Sequence, residues 1–471
     1  MKQPTRRRTG ITSPFTDRAL HLLLFLLFFI PPLVFVPGRF QGQWIFVNYR
    51  EPKLAAIQVL AWLFLTAFWW IVWKDPLRLQ RLLAVAKDRW TWLLVAFVLY
   101  LCWTAHQALV IEASFYELAQ YWTLLNLYIA LVVLWQEETY MRTALVAISA
   151  SFVIVTVIGL YQLWQPISFL IPIPGPKNPS TFGYKNPAAL AMLGQIFLLL
   201  SLISHWGQKG RWSLAVAGGL IALAEVAYLA TLQSRTSYFA FAITMAFVLG
   251  FSLCLLWRKR KVGILKIVGP VMLTGVMIFG WILVSYPPAQ KRVQMTFKYF
   301  QEPAKFLTSD RGTYLRNSIH MARENLFGVG IGNWGFAYPV YRCFQPKVCF
   351  NERIQARRAH GDYAQMLGET GWPGLLLWIV LLGWVLARGV GMVWHSLEFG
   401  PLFVVAQLLA FLLVMLFDYC IEMPYHKFAF FGVLAMVGAL FAVSRHENDR
   451  SVRLHDRLCN TRKGKELSRK H

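Results

Sequence analysis

Hydrophobic residues along this chain gather into twelve long runs, at about 19–37, 54–73, 90–106, 115–135, 143–164, 187–204, 212–232, 236–257, 263–285, 372–390, 401–420 and 427–444. A membrane-spanning helix needs about 20 mostly apolar residues, because roughly 30 Å of hydrocarbon is crossed at 1.5 Å per residue. The pattern therefore predicts an all-α polytopic membrane protein of about twelve transmembrane helices. The opening segment MKQPTRRRTGITSPFTDR is basic and leads into a long apolar run with no small-residue cleavage site behind it, which predicts an uncleaved first span and not a signal peptide. One large polar insertion, 286–371, separates the ninth and tenth runs, and a basic tail, 445–471, follows the last. These divisions predict a single integral membrane domain over 1–471, with function gathered in the long loop and at neighbouring helix ends.

Composition agrees with the pattern. Fifty-seven per cent of residues are apolar, with 20 Trp and 35 Phe, and mean hydropathy is +0.47, beyond what a soluble domain of this size carries. The net charge of +25 changes the picture only by giving an orientation. The basic residues sit in loops between apolar runs, and no nucleic-acid recognition module is present. Short loops on the side of the N-terminus carry several-fold more Lys and Arg than those opposite, so the positive-inside rule puts both termini in the cytoplasm and the long loop outside. Two of the six cysteines, Cys343 and Cys349, share that loop, where an oxidising compartment would allow a disulfide; two unpaired thiols is the other reading.

Local punctuation gives the outer segments structure. In RRAHGDYAQMLGETGWPGLLLW, Gly371 suits a left-handed helix end and Pro373 the first turn of the next helix. A short surface helix is expected over 359–370, placing His360, Tyr363 and Leu367 on one face. In TFGYKNPAALAML, Asn186 is expected as an N-cap and Pro187 in the first turn, with the free backbone donors of the helix end beside Lys185 as an anion site.

Topology then sorts the chemistry. Of ten histidines only His106, His320, His360 and His426 fall outside, and neither an HExxH nor a DxD pattern occurs, so no metal and no cofactor is expected. In ATLQSRTSYFAF, Gln233, Ser234 and Arg235 form a tight outer hairpin; an arginine there either has a partner or snorkels. The long loop adds Arg311, Arg316 and Arg323. Several guanidiniums on one side suit a diphosphate, because the planar fork makes two parallel charge-assisted bonds to phosphate oxygens. The glycines at 328, 330 and 332 are expected to make a tight reversal, since no strand precedes them and the spacing is wrong for a dinucleotide fingerprint. His360 is the candidate base, because imidazole titrates near neutrality, or else an interfacial histidine paired to a carboxylate. Arg357, Arg358 and Glu369 flank it as further polar candidates, the two arginines otherwise facing solvent or headgroups. Glu225, within the seventh run, is an intramembrane acid with no evident partner.

Together TFGYKNPAAL, QSRT, an arginine ahead of NLFGVGIGNW, and AHGDYAQMLGETGWPGLLL occur in an order that resembles the O-antigen ligase and O-antigen polymerase superfamily, bacterial inner-membrane glycosyltransferases of the GT-C type. The resemblance covers roughly 181–440. The ligase signature is a histidine, then Asn, Ser or Gln, nine residues, and G-x-x-G; here His360 and Gly371 to Gly374 keep the spacing, and Gly361 stands where the family has an amide or hydroxyl. What this resemblance implies is a metal-independent enzyme that takes a glycan from an undecaprenyl-diphosphate carrier at the periplasmic face and passes it to an acceptor hydroxyl, such as that of lipid A core. It also implies that the family's essential histidine is His360, its first arginine Arg235 and its second Arg311, with Arg316 as the alternative. The polyprenyl tail would reach the site from the bilayer between spans. Ligation is favoured over polymerisation or protein glycosylation because no further soluble domain follows the twelfth run. Two other designs stay open: a carboxylate base in the first outer loop, Glu51, and a lipid-linked glycan flippase.

Overall fold

The computed structural model describes residues 14–40, 43–164, 178–259, 265–302, 309–341, 356–396 and 398–444. Each of the twelve apolar runs contributes a helix. In chain order these and the helices between them are α1 (Pro14–Phe29), α2 (Arg50–Val72), α3 (Pro76–Ala86), α4 (Arg89–Thr104), α5 (Ile111–Leu134), α6 (Glu138–Trp164), α7 (Lys185–Gln208), α8 (Trp212–Thr231), α9 (Arg235–Lys259) and α10 (Leu265–Ser285). They continue as α11 (Pro287–Gln301), α12 (Asp310–Glu324), α13 (Trp334–Tyr341), α14 (Asp362–Ser396), α15 (Phe399–Met415) and α16 (Pro424–Ser444). The molecule is an all-α polytopic membrane protein.

Length separates the twelve runs into two groups. Eight helices among the described residues are long and apolar enough to cross a membrane, and α10 with α11 makes a ninth if that pair, bent by 91°, counts as one. α1 and α4 have 16 residues each and α15 has 17, so at 1.5 Å per residue each is about 24–26 Å long. The first run was expected to continue to residue 37, but α1 stops at Phe29. Pro31 and Pro32 follow, and a proline removes a helical donor and clashes with the turn behind it. The carbonyls released there are not lost: Lys53 Nζ, buried on α2, donates to the oxygens of Pro31 (3.2 Å), Pro32 (2.6 Å) and Val34 (2.9 Å). Beyond the break, Val36–Phe40 pairs antiparallel with Gln43–Asn48 in a two-stranded hairpin, an element absent from the all-helical expectation.

α7 is the axis of the bundle. Its apolar window is wholly enclosed, packed against α6, α8, α9 and α15, because AALAMLGQIFLLLSLIS is small or apolar on every face apart from Gln195, whose amide donates to Ser149. The long insertion after α10 holds α11, α12 and α13. The three glycines before α13 do form a reversal, with φ of 84°, 93° and 77° at Gly328, Gly330 and Gly332. Its backbone docks on α14, where Val329 N and Gly330 N donate to the carbonyls of Gly368 and Glu369. Cys343, Cys349 and the basic tail 445–471 lie outside the described residues.

The expected break at Gly371 is present within α14, at φ 67° and ψ −169°, a region of backbone space essentially restricted to glycine. The chain is also tight there, since a Cβ would sit 2.0 Å from the Leu326 carbonyl oxygen. Gly371→Ala is therefore expected to destabilise the protein by at least about 1–3 kcal/mol. A thermal unfolding midpoint in detergent equal to that of the parent protein would contradict this.

Candidate active site

The N-termini of α7, α9 and α12 and the segment ahead of α14 converge on a cavity of about 240 Å³. It is lined by Tyr184, Lys185 and Asn186 from the start of α7, Gln233, Arg235 and Thr236 from the α8–α9 hairpin, Arg292 from α11, Asp310, Arg311 and Tyr314 from α12, and His360. Four cationic side chains and one carboxylate face it, so its potential is positive and helix N-termini add to it.

Each element aims its residue for a local reason. Gln233 takes φ 55° to close the hairpin, and Tyr238 accepts its backbone N–H at 3.0 Å while donating to the Ala230 carbonyl. That turn starts α9 at Arg235. On α12, Arg311 and Tyr314 are three residues apart and share a face, and Ser309 caps the helix. Asn186 is not the N-cap expected of it: α7 begins at Lys185, two residues ahead of Pro187, with Tyr184 as the cap residue. Its amide instead donates to Asp418 Oδ2 at 2.8 Å.

His360 also departs from its expected position. α14 begins at Asp362, with the Gly361 carbonyl accepting from Gln365 N, so His360 precedes the helix and shares no helical face with Tyr363 and Leu367. It sits at φ 52°, an uncommon conformation for a non-glycine residue. Its ring stacks on Tyr314 (centroids 5.7 Å apart) and meets Tyr419 edge-on at 4.9 Å. Burial, with Arg311 next and Arg358 adding to it against the opposing pull of Asp310, pushes the His360 imidazole down to about 4. The ring is thus neutral at physiological pH. Gly361 packs so that a Cβ would lie 3.3 Å from the Leu416 carbonyl oxygen, which leaves little room for the larger side chain of the signature.

The segment between α15 and α16 forms the back wall. Asp362 Oδ2 accepts the backbone N–H groups of Cys420 (2.7 Å) and Ile421 (3.1 Å), tying this segment to the start of α14. Asp418 is thereby held 3.5 Å from Arg311 Nη2, while Arg311 Nη1 donates to Thr236 at 3.3 Å. Burial raises the Asp418 carboxyl above its usual range, an effect larger than the opposing pull of Arg311, the Tyr419 N–H and Asn186.

Five of the candidate site residues singled out in the sequence therefore meet in one cavity, Lys185, Asn186, Arg235, Arg311 and His360, together with Gln233 of the expected hairpin. The others do not line it. Arg316 is five residues beyond Arg311 and points away from that face. Arg357 is exposed, and Arg358 pairs with Glu422 at 2.9 Å behind Tyr419. Glu369 is buried as a cross-link, accepting Trp334 N (3.2 Å) and Gln365 Nε2 (3.0 Å). Glu51 accepts from Tyr116 at 2.6 Å, away from the cavity. Glu225 is buried in α8, its carboxylate oxygens without a hydrogen-bond partner among the described residues. Conversely, Arg292, Tyr314, Asp418 and Tyr419 were not foreseen. An acid at the outer end of the eleventh apolar run was the available signal for Asp418; Arg292 carried none.

No curated protein matches the chain. Residues 220–379, which include Arg235, Arg292, Arg311 and His360, match the family model described as O-antigen ligase, and this match supports the resemblance to the O-antigen ligase and O-antigen polymerase superfamily.

Proposed function

We propose that the cavity takes the diphosphate of an undecaprenyl-linked glycan at the periplasmic face of the bacterial inner membrane and transfers the glycan to an acceptor hydroxyl, with lipid A core as the acceptor. The observation that carries this reading is the meeting of Arg235, Arg311 and His360, 125 residues apart at the extremes, around one positive cavity. Arg235 and Arg311 hold phosphate oxygens, Lys185 and the α7 N-terminus add positive potential, and Asp418 keeps the Arg311 guanidinium in place. His360 takes the proton from the acceptor hydroxyl as its oxygen bonds to the anomeric carbon. The bond from that carbon to the phosphate oxygen breaks on the opposite side, its electron pair leaves with the lipid diphosphate, and configuration inverts.

Purified protein given the lipid-linked donor and a core acceptor in detergent should form product without added nucleotide. A deletion strain separates the related reactions: long polymer accumulating on the carrier indicates ligation, single repeat units indicate polymerisation, and glycan-free target protein indicates protein glycosylation.

The low basicity of His360 gives this reading a pH signature. A group neutral in the free enzyme down to about pH 4 loses its base function only below that, so the acid limb of kcat/KM should lie near pH 4 and not near the ordinary value of 6.5. Bound diphosphate brings negative charge beside the ring, so the limb in kcat should lie at higher pH than that in kcat/KM. A kcat/KM limb at pH 6.5 or above would contradict the assignment.

A further inference from the structure

Beside the polar cavity lies a second one, of about 440 Å³, lined by Gln233, Pro287, Pro288, Lys291, Arg292 and Met295. Its size falls within the range of about 300–1,000 Å³ typical of ligand clefts. Two residues, Gln233 and Arg292, line both cavities. The floor is one face of α11, since Pro288, Arg292 and Met295 follow the i, i+4, i+7 spacing of a helical stripe. α11 leaves α10 at 91°, so if α10 crosses the bilayer, α11 runs along its surface. Its other side is anchored inward by buried Ala289 and by Val293 against the core, while Met295 stays 38% exposed.

On the reading proposed above, we infer that this second cavity is the seat of the first isoprene units of the donor lipid, with Arg292 marking the junction between diphosphate and chain. A lipid diphosphate changes within a few bonds from a dianion to a hydrocarbon. The molecule offers the same change within one helical turn, from Arg292, which faces His360's cavity, to Met295, which faces the apolar one. Lys291 and Arg292 complement the lipid-proximal phosphate, while the prolines and Met295 offer polarisable, uncharged surface to the chain. This seat lets the enzyme select for the carrier as well as for the sugar.

The test compares two donors bearing the same glycan diphosphate, one on a methyl group and one on a two-isoprene chain, with the full-length protein in detergent. The parent protein should favour the two-isoprene donor in kcat/KM. Met295→Asn should shrink that preference by about tenfold, while Gln294→Ala, one residue away on a different face, should preserve it. A second measurement needs no variant: a prenyl diphosphate with a benzophenone in its first isoprene unit should label α11 upon illumination. An unchanged preference in Met295→Asn, or labelling confined to other helices, overturns the seat but leaves the glycosyl transfer standing. Absence of transfer from every lipid diphosphate by the parent protein overturns both.

Discussion

Replacing His360 by Ala should lower glycan transfer by about 10²–10⁴-fold, or roughly 3–5 kcal/mol of transition-state stabilisation, with the protein still folded and inserted. The acceptor hydroxyl is a weak acid, so its oxygen becomes a competent nucleophile only if a neighbour takes the proton as the bond forms. Among the groups lining the cavity His360 is the one fitted to this. The four cationic side chains are hydrogen-bond donors without an acceptor site, and Asp310 sits beside Arg311 at the start of α12. Among the described residues no hydrogen bond occupies the ring nitrogens of His360, which are oriented instead by stacking on Tyr314 and by Tyr419. Because the backbone is at φ 52°, alanine adds strain of its own, so His360→Asn is the sharper variant. Asparagine tolerates left-handed backbone but cannot accept the proton. Both should lose about 10²–10⁴-fold in transfer at normal membrane levels, with the unfolding midpoint kept by His360→Asn and lowered by His360→Ala. His360→Gly should be partly restored by added imidazole. Full transfer by either His360→Ala or His360→Asn would remove the histidine from the mechanism.

The second large effect is expected at Arg311. Arg311→Gln should cost about 2–5 kcal/mol in kcat/KM, or about 30- to 5,000-fold. Two consequences combine. The guanidinium supplies charge where the leaving diphosphate develops it, which lowers the barrier and so appears in kcat as well as in KM. Its removal also leaves the buried Asp418 carboxylate without its 3.5 Å cation, turning an attractive wall into one that repels phosphate. Arg311→Lys should recover part of the loss, because a point charge replaces the fork without its paired geometry. The same substitution by Gln should raise the acid limb of kcat/KM, since Arg311 is the leading charge that holds the His360 imidazole down. Unaltered kinetics in Arg311→Gln would exclude it from the clamp.

The apolar runs, the helical class and the break at Gly371 were legible in the order of residues, because each has a local cause: hydrocarbon thickness sets run length, and a glycine-only conformation marks the break. Arg235, Arg311 and His360 were also legible as types, since guanidiniums and imidazole in segments outside the spans have few structural uses. Three details were not. The early end of α1 depends on Lys53, 21 residues beyond Pro32, capturing the freed carbonyls. The start of α14 two residues after His360, and the φ of 52° at His360, belong to a segment tied by Asp362 to the backbone of Cys420 and Ile421, far along the chain. The roles of Arg292 and Asp418 depend on helices far apart in sequence arriving at the same corner.

By itself, then, the sequence determined a multi-span helical protein with its cationic and basic chemistry gathered in particular loops, because periodicity and composition act over a single turn or a single span. Only the tertiary structure decided which of those side chains share a cavity. It separated Arg235, Arg311 and His360 from Arg316, Arg357 and Glu369, and it made His360 neutral and Asp418 a partner. Burial and the distance between charges arise from packing of residues remote along the chain, and no local pattern encodes them.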